Sequence, residues 1–264
     1  MSSSATATPE SPHEPEASHG VVAHHFENLE QQADANILGM WVFLASEILF
    51  FGGLFAAYTV YRSTHFSAFG DACRKLNAIL GACNTAVLLT SSLTMALAVH
   101  AARLGRRQRV ELFLAATLFL GSAFLVIKAY EWYSEYSESL VPRLRFDPKE
   151  WQEEGEKKAR EAFKDDPGFS KLPEADRARV ERAFVDRFVG SVQMFYVFYF
   201  IITGLHALHM IVGLGVLIAL LILARRGRFG DPRDFIPVDV AGLYWHFVDI
   251  VWIFVFPILY LLRE

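Results

Sequence analysis

The chain has 264 residues, 53% of them hydrophobic and 14% aromatic, above the apolar share of about 45–50% usual in a soluble domain. A net charge of −4 gives no basis for nucleic-acid binding. The two cysteines, Cys73 and Cys83, have no CxxC spacing, which argues against a disulfide framework and a thiolate metal site.

Residues 1–34 contain no Lys or Arg and are rich in Ser, Pro, Glu, Ala and His. They lack the basic start and apolar core of a secretory signal and read as a disordered cytoplasmic tail. The tail histidines His13, His19, His24 and His25 read as solvated side chains in that composition.

Five apolar blocks follow, each long enough to cross the hydrocarbon core as a helix of about 20 residues. They run from about Ala35 to Tyr61, Leu76 to Ala102, Val110 to Tyr133, Gly190 to Ala224 and Val238 to Leu262. The first three make a membrane section over 35–133, and the last two a section over 189–264. The fourth block exceeds one bilayer and is expected to tilt or project. Pro257 in the fifth is expected to kink the helix without breaking it, because neighbouring groups can take up the freed carbonyl. Gly52, Gly53, Gly81, Ala82, Gly204, Gly213 and Gly215 are expected where helices approach closely.

The loops Arg103–Arg109 and Arg225–Phe235 carry four arginines each and fall on one side if every block spans once. The positive-inside rule puts that side, with the N-terminus, in the cytoplasm. The C-terminus and the segment 134–188 then face the periplasm. That segment holds 14 acidic and 12 basic residues. Charge pairs in KEWQEEGEKKAREAF and an apolar stripe at Val180, Phe184 and Phe188 predict a helical insert. The stripe needs an apolar cover, so the insert is expected to cap and contact a neighbouring subunit. The predicted fold is all-α, a polytopic membrane helix bundle with five transmembrane helices and a helical extramembrane insert.

Several ionisable residues fall inside the blocks. Glu47 sits near the middle of the first, where an acid costs about 2.5–3.5 kcal/mol on insertion scales and is expected to be neutral or paired. Lys128 and Glu131 form an i,i+3 set near the outer end of the third. His206 and His209 repeat that spacing in the fourth, as do His246 and Asp249 in the fifth, while His100 lies near the end of the second. Such side chains suit haem ligation, interhelical hydrogen bonding or lipid contact. Paired histidines at matched depth are absent, so a polar network or lipid-headgroup contact fits better than haem. No GxSxG or phosphate-cradling glycine loop supports nucleophilic catalysis.

Four stretches together resemble subunit III of the cytochrome c oxidase family: WVFLASEILFFGGLFAAY at 41–58, NTAVLL at 84–89 with the span to His100, KAYEWY at 128–133, and TGLHALHMIVG at 203–213 with YWHFVDIVWIFVFPILYLL at 244–262. They cover all five spans in family order and resemble the bacterial five-span form. The resemblance implies a non-catalytic subunit beside subunit I and subunit II of a respiratory oxidase, with structural phospholipids bound. It implies no cofactor on this chain, with haem and copper in partner subunits, and support for proton uptake and for the life of the catalytic subunit. Glu47 and Glu131 fall at buried-carboxyl positions, and His206, His209, His246 and Asp249 at polar positions of the last two spans. The insert departs from the family pattern. Subunit III of a quinol oxidase, an accessory protein of a nitric oxide reductase and a stand-alone transporter compete with this reading. The transporter is disfavoured because no inverted repeat is evident.

Overall fold

The computed structural model describes residues 29–142 and 144–263; of the tail expected over 1–34, residues 1–28 with the histidines lie outside them, and residues 29–34 are helical instead, the first turns of a helix that begins at Leu29. Eight α-helices are present among the described residues: α1 (Leu29–Thr64), α2 (Phe66–Lys75), α3 (Ala78–Arg103), α4 (Arg107–Ser137), α5 (Lys149–Phe163), α6 (Pro167–Ser170), α7 (Glu174–Arg225) and α8 (Ile236–Phe256). Five of these, α1, α3, α4, α7 and α8, are long and apolar enough to cross a membrane. Two two-residue strands, β1 (Leu140–Val141) and β2 (Arg145–Phe146), pair antiparallel, with Leu140 opposite Phe146. The chain is a multi-pass membrane protein of all-α class.

Helices α3, α4, α7 and α8 make the packed bundle, and α1 lies along α8 with most of its own surface uncovered. Large apolar side chains of α1 such as Leu38, Val42, Ile48 and Leu49 are exposed. Exposed Tyr61, Tyr130, Tyr133 and Tyr136 gather at the insert end, as an aromatic belt does at a membrane boundary.

Trp245 of α8 is the wedge of the bundle. A Cβ added at Gly121 of α4 would lie 2.7 Å from its ring, and one at Gly213 of α7 3.0 Å from it. Its indole N–H donates to Ser91 Oγ of α3 at 3.0 Å. Gly81 meets Phe256 and Gly242 meets Val99 in the same close fashion. Gly52, Gly53, Gly204 and Gly215 do not: open space lies around each, so their expected role in close packing is not what the fold uses. The glycines that matter are those opposite a bulky ring or a branched side chain, and composition alone does not separate the two sets.

The segment after α1 is a helix where a loop was expected. Helix α2 buries Ala68, Phe69, Ala72 and Cys73. Asn77 then caps α3, its side-chain oxygen accepting from the amides of Ile79 and Leu80. Helices α3 and α4 join through Gly105, whose φ of 62° suits a residue without a Cβ.

Pro257 bends helix geometry without ending it, as expected. The chain continues in a π-helical stretch, Pro257–Leu261. The carbonyls there are taken up by side chains from the other end of the sequence. Tyr58 donates to Ile258 O at 3.2 Å, Cys73 Sγ to Leu259 O at 3.1 Å and Arg62 to Leu262 O at 2.7 Å. Burial pushes the Cys73 thiol up against the opposing pull of Arg263, Arg62 and Arg74, so it keeps the proton it donates.

Helix α7 has 52 residues, a length of about 78 Å at 1.5 Å per residue. That is more than twice the hydrocarbon core, so its first turns project beyond the membrane without a break. Helix α5 folds back onto this projection, with Gly155 against Val185 and Phe188. Phe163, Phe169 and Phe184 close the tip, with ring centroids 4.5 and 5.7 Å apart. Lys158 bonds Asp71 at 2.8 Å, and Lys75 pairs with Glu150, tying the insert to α2. Of the Val180, Phe184 and Phe188 stripe, Phe184 and Phe188 are thus covered by the insert's own helices, while Val180 stays exposed.

The Trp245 seat yields a paired expectation. Gly121→Leu should lower the stability of the detergent-solubilised chain by about 1–3 kcal/mol, the usual range for overpacking. Gly215→Leu, on an open face, should leave the heat-unfolding midpoint unchanged or raised. Equal midpoints for the two variants would remove the wedge account.

Candidate functional site

The ionisable residues inside the membrane gather in three groups, with His206 standing apart and Glu135 buried next to the second. In the first, α7 brings His209 to Glu47 of α1, with Nε2 and Oε2 3.2 Å apart. His209 Nδ1 lies 2.8 Å from Leu205 O. A carbonyl only accepts, so Nδ1 carries a hydrogen; the Nε2 contact then needs one further proton, on the ring or on the acid. The pair therefore holds one proton in mid-membrane as either an ion pair or a neutral pair. Both side chains are part-exposed, on the flank where α1 is uncovered. Phe51 stands edge-on to the imidazole at 5.4 Å, and Tyr244 donates to His209 O at 2.9 Å.

The second group is closed. Lys128 is 1% exposed and donates to Glu131 at 3.0 Å, Tyr199 Oη at 2.9 Å and Tyr260 Oη at 2.5 Å. Those are all three hydrogens of an ammonium group. Glu131 in turn accepts from Tyr260 at 2.6 Å and Tyr199 at 3.2 Å. The rings of Tyr199 and Trp252 face the ammonium at 4.6 and 5.5 Å. These four side chains are satisfied and the Lys128–Glu131 pair is neutral overall, the condition for burying a charge pair at tolerable cost, while Glu135, buried one turn further along α4, keeps one carboxyl oxygen without a partner.

The third group joins α3 and α8. Ser92 Oγ lies 2.7 Å from His246 Nδ1. Asp249, one turn further along α8, is buried with neither carboxyl oxygen hydrogen-bonded. A groove of about 220 Å3 opens beside His246, lined by Ala96, Val99, His100, Arg103, Asp239 and Gly242 among others. At its mouth Arg103 bonds Asp239 at 2.7 Å.

The i,i+3 spacings therefore mark real sites, but only Lys128 and Glu131 bond each other, and His206 and His209 part altogether. His206 is 1% exposed, between Phe124 and Trp252 at 5.5 and 5.1 Å, while His209 turns to α1. Three residues along a helix leave a rotation of about 60°, enough to send two rings to different neighbours. His100 shares the groove with His246 and takes no part in the other groups. Tyr199, Tyr260, Ser92 and Trp252 were not singled out in sequence, where they read as core or packing residues. The cue available was a lysine in a span with a single carboxylate in reach on its own helix, so that its other hydrogens must find acceptors on neighbouring helices. Among the described residues no three or more His, Cys, Asp or Glu side chains gather as a metal site.

Residues 22–140 and 181–263 match the model of the family described as Cytochrome c oxidase subunit III. The gap between the two segments covers β1, β2, α5, α6 and the first turns of α7. The chain is 31% identical over 226 residues to the probable cytochrome c oxidase subunit 3 of Nocardia farcinica, covering 86% of this chain and 87% of that one. It is 29% identical to the cytochrome c oxidase subunit 3 of Alkalihalophilus pseudofirmus, over 90% of this chain and 92% of the relative. It is 27% identical to the quinol oxidase subunit 3 of Bacillus subtilis, over 93% and 96%. With the family model matched across all five spans, the chain belongs to the cytochrome c oxidase subunit III family.

Proposed function

We propose that the chain is the non-redox subunit III of an aerobic haem–copper terminal oxidase in a bacterial inner membrane. It packs beside subunit I, with subunit II and the haem and copper centres elsewhere in the assembly. The basic loops face the cytoplasm and the insert faces the periplasm. The chain supports proton uptake, holds structural phospholipids and prolongs the life of the catalytic subunit. The observation that carries the reading is the Glu47–His209 pair, a one-proton site in mid-membrane on the uncovered flank of α1. That flank offers apolar surface for lipid tails or a partner's helices, and the pair offers a polar contact at their depth. The second reading, subunit III of a quinol oxidase, is favoured by the relative of that name in Bacillus subtilis. The Lys128 group does a different task, locking three helices together.

Three outcomes are expected. A tagged chain purified from its native membranes should bring down haem bands and copper, while the isolated chain shows neither. Oxidation of reduced cytochrome c or of a quinol by that preparation decides between the two readings, and a preparation without haem overturns both. In the complex, Glu47→Gln should assemble normally, because an amide keeps the volume and a donor for His209. It should shorten the working life of the oxidase during turnover, read as oxygen consumption against time, without changing the initial rate. Lys128→Met should cost about 3–5 kcal/mol, since it strands the Glu131 charge in the interior. The double variant Lys128→Met with Glu131→Gln should recover most of that loss in heat unfolding.

A further inference from the structure

The Ser92, His246 and Asp249 side chains and the groove beside them are left over once the proton pair at Glu47 and the Lys128 lock are accounted for. Asp249 is 3% exposed and sits in the seam between α3 and α8. Neither of its oxygens has a hydrogen bond of good geometry, and the Ser92 hydroxyl is the polar group beside them. An unpaired carboxylate has no stable place in such a setting, whereas a neutral carboxylic acid has. The site thus calls for a proton, and the groove shows where one would enter.

The groove opens at the end of the bundle that carries the arginine-rich loops, where α3 ends and α8 begins. His100, Arg103 and Asp239 stand at its mouth, and the Arg103–Asp239 pair leaves little net field there. Small side chains, Ala96 and Gly242, keep it open beside His246. His246 Nδ1 is already bonded to Ser92 Oγ at 2.7 Å. Ser92 lies beside the Asp249 carboxyl, one turn of α8 or about 4.5 Å of rise beyond the imidazole. The other titratable groups on helices packed against α8 are occupied or turned elsewhere. Glu47 of α1 is taken by His209 of α7, and His206 of α7 faces Phe124 and Trp252.

We propose that Asp249 is a proton-binding site, loaded from the basic-loop face through the groove between α3 and α8, with His246 and Ser92 as the carriers. A proton from water in the groove binds His246 Nε2. The imidazolium gives up its Nδ1 hydrogen to Ser92 Oγ as the serine's own hydrogen passes to an Asp249 carboxylate oxygen. The ring, left with its hydrogen on Nε2, resets by turning Nδ1 to the groove, taking a proton there from water and returning its Nε2 proton to water. One proton enters, one O–H bond forms on the acid, and nothing is oxidised or reduced. The inference rests on the five-span packing and not on the oxidase assignment.

The test is hydrogen–deuterium exchange of protonated carboxyl groups, read by infrared spectroscopy on the whole purified complex, with assembly followed separately by haem content. A carboxylic-acid C=O band that shifts in heavy water and vanishes in Asp249→Asn, but remains in Glu47→Gln, is the expected signature. His246→Phe, which removes the carrier, and Ala96→Leu, which fills the groove while leaving every polar residue in place, should each slow its exchange at least tenfold. Loss of no band in Asp249→Asn overturns the proposal. Exchange at the wild-type rate in both groove variants overturns it too, since the proton then arrives by another road. Failure of the complex to contain haem would count against the oxidase reading alone, because the exchange of Asp249 can be read in any preparation of the folded chain.

Discussion

An ammonium group placed in the middle of a membrane protein decides a great deal about its surroundings. Lys128 cannot reach solvent, so each of its hydrogens must meet an acceptor inside the bundle, and Glu131 must meet donors. The three side chains that meet this demand, Glu131, Tyr199 and Tyr260, come from α4, α7 and the π-helical stretch that continues α8. A hydrogen bond tolerates errors of a few tenths of an ångström, so the group fixes both the rotation and the depth of three helices at once. Apolar packing between helices in lipid gives no such specification, because lipid tails satisfy a leucine as well as another helix does. The Trp245 wedge works one level deeper, where Gly121 and Gly213 leave room for the ring and Ser91 takes the indole hydrogen. A polar lock near the outer end and a shaped seat near the middle together leave one way for α8 to lie.

The five spans were legible because hydropathy reports the one property that a bilayer imposes on every residue of a helix. What hydropathy does not report is where a membrane helix stops being in the membrane. Nothing in the sequence between Glu174 and Gly190 interrupts helix formation, so α7 runs on through the boundary. The helical character of α2 was missed for a related reason: ten residues with Gly70 and two charges at the end look like a loop until Phe69 and Cys73 find a surface to cover. In the polar groups, the spacing of Lys128 and Glu131 was legible, being local. The acceptance of Glu47 by His209 was not, because the two are 162 positions apart and each stands alone on its own helix. The glycines teach the same lesson. Gly52 and Gly53 look like a contact motif and face open space, whereas Gly121 looks incidental and receives a tryptophan.

The insert and the bundle are built on different physical terms. In the bundle, the surrounding hydrocarbon offers no hydrogen-bonding partner, so polar groups depend on one another. In the insert, helix α5 lies on the projecting part of α7 with an apolar seam and a charged outer surface, as a soluble helical hairpin does. The two regimes meet at α2, where Asp71 and Lys75 take their ion-pair partners from α5 while Cys73 and Phe69 face the bundle. The family match stops and resumes at about that boundary, which marks the hairpin as an addition to an otherwise shared plan.

The clasp between the first span and the last has a bearing on how the protein is made. Tyr58 and Arg62 donate to Ile258 and Leu262, 200 positions later in the chain. During synthesis α1 enters the membrane long before those carbonyls exist, and it then waits with a tyrosine hydroxyl and a guanidinium that have yet to meet their final partners. The clasp forms only when the segment around Ile258 to Leu262 has been made and comes to rest against the first span. A chain truncated after Pro257 would have all five spans in the right order and still lack this fastening.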